Sequence, residues 1–171
     1  MSLTTAAVAA LTTSQVGYLS TSDVAFLSTT QVGRLSTSQL GALSTSDVPY
    51  LSTSDIGYFT TSAVKGLTTS DAAFLTTSQV AYFTTSSIGQ LSTAAVGYLS
   101  TSDVAFLTTS QVKHLTTSEI TALTTSNVQY LSTSQVSYLT TSTASALVND
   151  TTLTAYLTTT TVNLVTYIAT H

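Results

Sequence analysis

The chain is poor in charge: Asp, Glu, Lys and Arg make up only 6% of its 171 residues, and three of them are basic. Three cations cannot neutralise a run of phosphates, so nucleic acid is not an expected partner, and a net charge of −4 points the same way. No polybasic segment is present to hold an anionic membrane surface. Cysteine is absent, which excludes disulfides and thiolate metal sites. Proline occurs once and glycine seven times, so the usual turn punctuation is sparse. No apolar run approaches the roughly 18–20 residues of a membrane span. Met1 to Ala10 carries neither a basic region nor a continuous apolar stretch, so a Sec signal peptide is not expected.

What fills the chain instead is Ser and Thr around a regular set of apolar residues. Hydrophobic residues reach 43% and recur at fixed positions, which argues for order. The regularity is an eight-residue repeat, Leu-(Ser/Thr)-Thr-Ser-(Asp/Gln)-Val-x-(Tyr/Phe). Eighteen such octads run from Leu3 to Ala146 without an insertion. Position 1 is Leu except at Phe59 and Phe83, position 2 is always Ser or Thr, and position 3 is always Thr. Position 6 is Val, Ile or Leu apart from Ala72 and Ala144. Six of the seven acids share position 5: Asp23, Asp47, Asp55, Asp71, Asp103 and Glu119. Gln15, Gln31, Gln39, Gln79, Gln111 and Gln135 take the same place in other octads.

These positions spell a helix start. With position 2 as N-cap, position 5 is N3, and Ser20-Thr21-Ser22-Asp23 reads as a capping box. Position 1 is then N′ and position 6 is N4, the pair that forms a hydrophobic staple, as in Leu19 with Val24. Acids in the first turn suit the helix dipole. All six acids are therefore assigned as helix-capping residues. The next cap follows eight residues later, so each helix has about six residues and cannot persist alone. It must stack on its neighbours as a solenoid. The sequence predicts an all-α solenoid of very short capped helices, one per octad. A β-solenoid is the alternative, since Thr, Val and Tyr favour strands. Against it, positions 1 and 6 have opposite parity, so strand alternation fails.

A longer beat overlies the octad. Position 8 is aromatic in ten octads, as adjacent pairs: Tyr18 with Phe26, Tyr50 with Tyr58, Phe74 with Tyr82, Tyr98 with Phe106, and Tyr130 with Tyr138. The pairs recur at a mean of 28 residues, which implies about 3.5 octads per superhelical turn. Arg34, Lys65, Lys113 and His114 fall between them, and the five octad aspartates accompany an aromatic. One side of the solenoid is therefore expected to be aromatic and acidic, another small or basic. The ten aromatics are the candidate contact stripe. The chain divides into an octad solenoid over 1–147 and a degenerate segment over 148–171, where the frame shifts; the latter is expected to cap or dock.

Recognisable catalytic chemistry is missing. There is no HExxH, no GxSxG and no Gly-rich phosphate loop. His114 stands where other octads carry Tyr or Arg, and His171 is terminal. Neither an enzyme nor a cofactor is expected. The phrase Leu-Thr-Thr-Ser-Gln-Val-x-x-Leu, at Leu11–Leu19 and Leu107–Leu115, resembles the Ser/Thr-rich octad arrays of large secreted bacterial surface and adhesin-like proteins. The resemblance covers most of the chain. It implies an extracellular or cell-surface structural role, reached without a Sec signal peptide, and brings no catalytic residues. The expected function is a self-assembling subunit of a filament, sheath or surface layer, with the chain itself as main partner. An ice- or glycan-binding adhesive module, or a rigid spacer, is the alternative.

Overall fold

The computed structural model describes residues 3–171, and among these the chain forms nineteen α-helices and no strand. Each octad but one contributes a helix of four to six residues up to octad 17, such as Thr13–Gly17, Thr53–Tyr58 and Thr109–Lys113. Position 2 is extended, with φ −73° and ψ 161° at Thr12, and its hydroxyl accepts the amide of position 5. The position 6 amide donates to the position 2 carbonyl, as from Val16 to Thr12 at 3.0 Å. Past the helix, position 1 is extended again, as at Leu51 with φ −63° and ψ 131°. Two extended residues therefore make the turn between helices. Among the described residues no φ is positive, at glycine or elsewhere. The turn needs no glycine, which is why glycine and proline are so sparse.

Helices stack through the core in a fixed step. Each packs on the helix three octads further along: Thr13–Gly17 on Thr37–Leu40, and Thr77–Tyr82 on Thr101–Phe106. Hydrogen bonds between coils run from position 5 back 28 residues at seven places, from Gln31, Gln39, Gln79, Ser87, Gln111, Asn127 and Gln135. These bonds join position 5 to position 1 of the third octad before, so a turn holds three octads, fewer than the 3.5 that the spacing of the aromatic pairs implied. Positions 1, 5 and 6 form the interior. Position 6 is essentially inaccessible throughout the octads, from Val8 to Ala144. Position 1 joins it from Leu35 onward.

One octad departs from the pattern. Octad 6, Leu43–Tyr50, forms turns and a 3₁₀ stretch at Val48–Tyr50 in place of an α-helix. Its position 7 is Pro49, where other octads donate an amide to the position 3 carbonyl, as from Gly41 to Thr37 at 3.1 Å. Proline has no such donor, and its ring clashes with that carbonyl.

After octad 18 the helix does not stop. The residue in position 2 of the next octad is Val148, which has no hydroxyl to cap a new start, and the helix continues over Thr141–Asn149. Asp150 then caps the next short helix, Thr151–Thr154, accepting from the amides of Thr152 and Leu153 at 3.1 Å each. The last helix, Thr159–Thr170, lies against Thr141–Asn149 and Thr133–Val136 and buries Val165. Among the described residues no helix is long and apolar enough to cross a membrane.

Candidate functional site

Position 5 does two things at once. In octad 10, Gln79 Oε1 accepts from the Thr76 amide at 2.7 Å, closing the capping box. Its Nε2 donates to the carbonyls of Val48 at 2.7 Å and Leu51 at 2.8 Å in the coil before. Gln39, Gln111 and Gln135 repeat the arrangement. One side chain therefore caps its own helix and ties two coils together, a second role that capping logic alone does not reveal.

The acids fill only the first half of that role. Capping boxes are present at Asp23, Asp55, Asp71, Asp103 and Glu119. A carboxylate has no donor to offer the preceding coil, and the oxygens Asp103 Oδ1 and Glu119 Oε1 are buried without a partner. Burial pushes the Glu119 carboxyl above the ordinary carboxylate range, against the opposing pull of its Thr116 bonds. Asp23, exposed in the first coil, is held below its usual value by the Ser20 hydroxyl and amide. Asp47 departs from the capping assignment. It accepts only the Ser44 hydroxyl, at 2.7 Å, and makes no cap bond, because Pro49 keeps its octad from forming the helix it would cap.

The outer surface is sided, but not as the sequence suggested. Asp47, Asp55, Asp71 and Asp103 are only 1–3% exposed and point inward. The aromatic side therefore carries no acidic stripe, because position 5 belongs to the core. The ten position 8 aromatics are all exposed, from 49% at Tyr130 to 90% at Tyr18. The step of three octads sorts them. Phe26, Tyr50, Phe74 and Tyr98 follow one another up one face, and Tyr58, Tyr82, Phe106 and Tyr130 up the next. The third face carries Ala42, Gly66, Gln90 and His114, beside Lys65 and Lys113, with Tyr18 and Tyr138 at its two ends. A groove between successive coils of the second face is lined by Thr77, Ser78, Tyr82, Ser102 and Phe106. The third face holds another, lined by Thr85, Ser86, Gln90 and His114. Nδ1 of His114 lies 2.8 Å from the Ser110 carbonyl of its own helix. Among the described residues no three His, Asp or Glu side chains converge as a metal site would require.

These features define a helical solenoid built from capped octads, with a bonded interior and two aromatic outer faces. The chain belongs to the ALTTAQ repeat family, whose repeat matches residues 19–53, 48–85 and 87–117, more than half of its length. No curated protein and no solved structure matched the chain.

Proposed function

We propose that this protein is a non-catalytic structural repeat protein, a self-assembling subunit of an extracellular filament, sheath or surface layer. The observation that carries the reading is the pair of exposed aromatic faces, four rings long each, on a one-dimensional scaffold. A contiguous exposed apolar surface marks a contact site, and Tyr and Phe are enriched where proteins meet. Few charges oppose close approach of copies. A contact between unlike faces propagates unless it closes. An extracellular or cell-surface location, as the surface-protein resemblance implies, belongs to the same proposal.

Purified protein is expected to form concentration-dependent assemblies larger than a dimer, visible in negative stain and by sedimentation. Replacing Tyr58, Tyr82 and Phe106 by Ser is expected to abolish these assemblies and leave the melting temperature within about 2 °C, since all three are exposed. No such assemblies at high concentration across pH and salt would overturn the reading.

A second reading has one observation in its favour. The groove that sets Tyr82 and Phe106 among Thr and Ser hydroxyls suits stacking and hydrogen bonding to a sugar. A glycan array is expected to show hits that Tyr82→Ser removes; an empty array dismisses it.

A further inference from the structure

We propose that copies of this chain pair through unlike sides, the lysines of one copy's third face seated against the aromatic rings of another copy's second face. This names the contact behind the self-assembly reading and rests on that reading. Lys65 and Lys113 both occupy position 7 on the third face, 48 residues apart, which is two coils of three octads. Both are exposed, and they are two of the chain's three basic residues other than histidine. Carboxylates are not at hand to pair with them on the middle of the solenoid. All five acids between Leu43 and Leu123 lie inside at position 5, only 1–3% exposed.

The second face offers what a lysine can bind instead. Tyr58, Tyr82, Phe106 and Tyr130 recur every 24 residues, one ring per coil, and are 49–66% exposed. Two lysines two coils apart therefore meet a ring at both places at once. Ring faces attract an ammonium, and the groove that holds Tyr82 and Phe106 adds the hydroxyls of Thr77, Ser78 and Ser102 as acceptors. The methylene stem can lie along a ring while the charged end reaches those hydroxyls. The shapes complement each other too. Beside Lys65 the third face has a groove lined by Gly89, Gln90 and Ser92, which gives an incoming ring room to approach. Two third faces brought together would set lysine against lysine, a costly contact. Arg34 takes the place of a ring one coil before Tyr58 and repels a lysine there, which restricts the register. The contact is heterologous, so each copy still has one face of each kind to offer after pairing.

Sedimentation velocity of the full chain and two kinds of variant tests the pairing. Lys65→Gln with Lys113→Gln removes the cations, and the three Ser replacements at Tyr58, Tyr82 and Phe106 remove rings. Each variant alone is expected to associate about tenfold more weakly or worse. Mixed in equal amounts, the two are expected to form a one-to-one complex and grow no further, because each supplies the face that the other lacks. Lys65→Arg with Lys113→Arg keeps both cations and is expected to assemble as the parent does. Circular dichroism checks that the helices persist in every variant. A parent chain that does not assemble overturns the self-assembly reading and this contact with it. A parent that assembles, with a Gln variant that assembles equally well, overturns this contact alone. So does a mixture of the two variants that stays monomeric.

Discussion

Gly66→Ala is expected to destabilise the protein by about 3 kcal/mol, the upper end of what overpacking costs. A Cβ built on Gly66 lies 1.9 Å from the Thr37 carbonyl oxygen and 2.8 Å from the Thr37 carbonyl carbon. Its neighbour Gly41 meets the Gly66 carbonyl oxygen at 2.4 Å in the same way. All of these atoms are backbone, so no rotamer change makes room and the two coils must part. They are also joined here by the Thr37 hydroxyl, which donates to the Ser62 carbonyl at 2.7 Å. A solenoid is coupled only between neighbours. The damage is therefore expected to be local: hydrogen exchange should speed up over octads 1–5 while the coils beyond Leu67 keep their protection. Gly57→Ala is the control, since its Cβ has 3.7 Å to the nearest atom, Tyr82 O. It is expected to be neutral or to stabilise by about 0.5–1 kcal/mol through helix propensity. An unchanged melting curve for Gly66→Ala would mean the coils do not touch there.

The local structure was legible because four positions of the octad carry independent physical demands that agree. A hydroxyl at N-cap, an acid or amide at N3 and apolar residues at N′ and N4 together leave few alternatives to a helix start. Past octad 18, Val148 offers no hydroxyl to cap a new start, and the helix runs through it. Pro49 was visible in the sequence, but its effect depends on the position 7 amide donating to position 3, which only the helix geometry reveals. The inward direction of the acids was not legible. A capping residue on an isolated helix faces water, and nothing in one octad says that another coil lies over it. The signal was nevertheless present in the alternation of Asp with Gln. An amide has a donor left after capping and a carboxylate has none, so a position that takes Gln as often as Asp has room for a second bond. Glycine at position 7 is a similar case. Its purpose is the approach of the next coil, and turn rules alone do not suggest that.

The same alternation yields the second large effect: Glu119→Gln is expected to stabilise the protein at pH 7 by about 1–3 kcal/mol, the usual penalty of an unsatisfied buried polar group. Glu119 is 2% exposed, and its Oε2 accepts the Thr116 amide at 2.7 Å, leaving Oε1 unpartnered. By the register of Gln79, Gln111 and Gln135, the free end of residue 119 is directed at the carbonyls of Leu91 and Ile88 in the coil before. Oxygen faces oxygen there unless the acid is protonated. Burial accordingly raises the Glu119 pKa in the folded state above the ordinary value of 4.5. A raised pKa means that the favourable contribution of Glu119 is complete below the unfolded pKa. It is lost as pH rises through the folded one. The advantage of the Gln variant should therefore be full at neutral pH and shrink on acidification toward about pH 4, where the protonated acid donates as the amide does. Urea titrations of both proteins at several pH values measure that difference. Gln111→Glu is the reciprocal, and should lose a similar amount at pH 7 because it gives up its bonds to Val80 and Phe83. A Glu119→Gln protein no more stable than its parent at pH 7, with a gap that does not narrow in acid, would show that position 5 caps its own helix without tying the coils together.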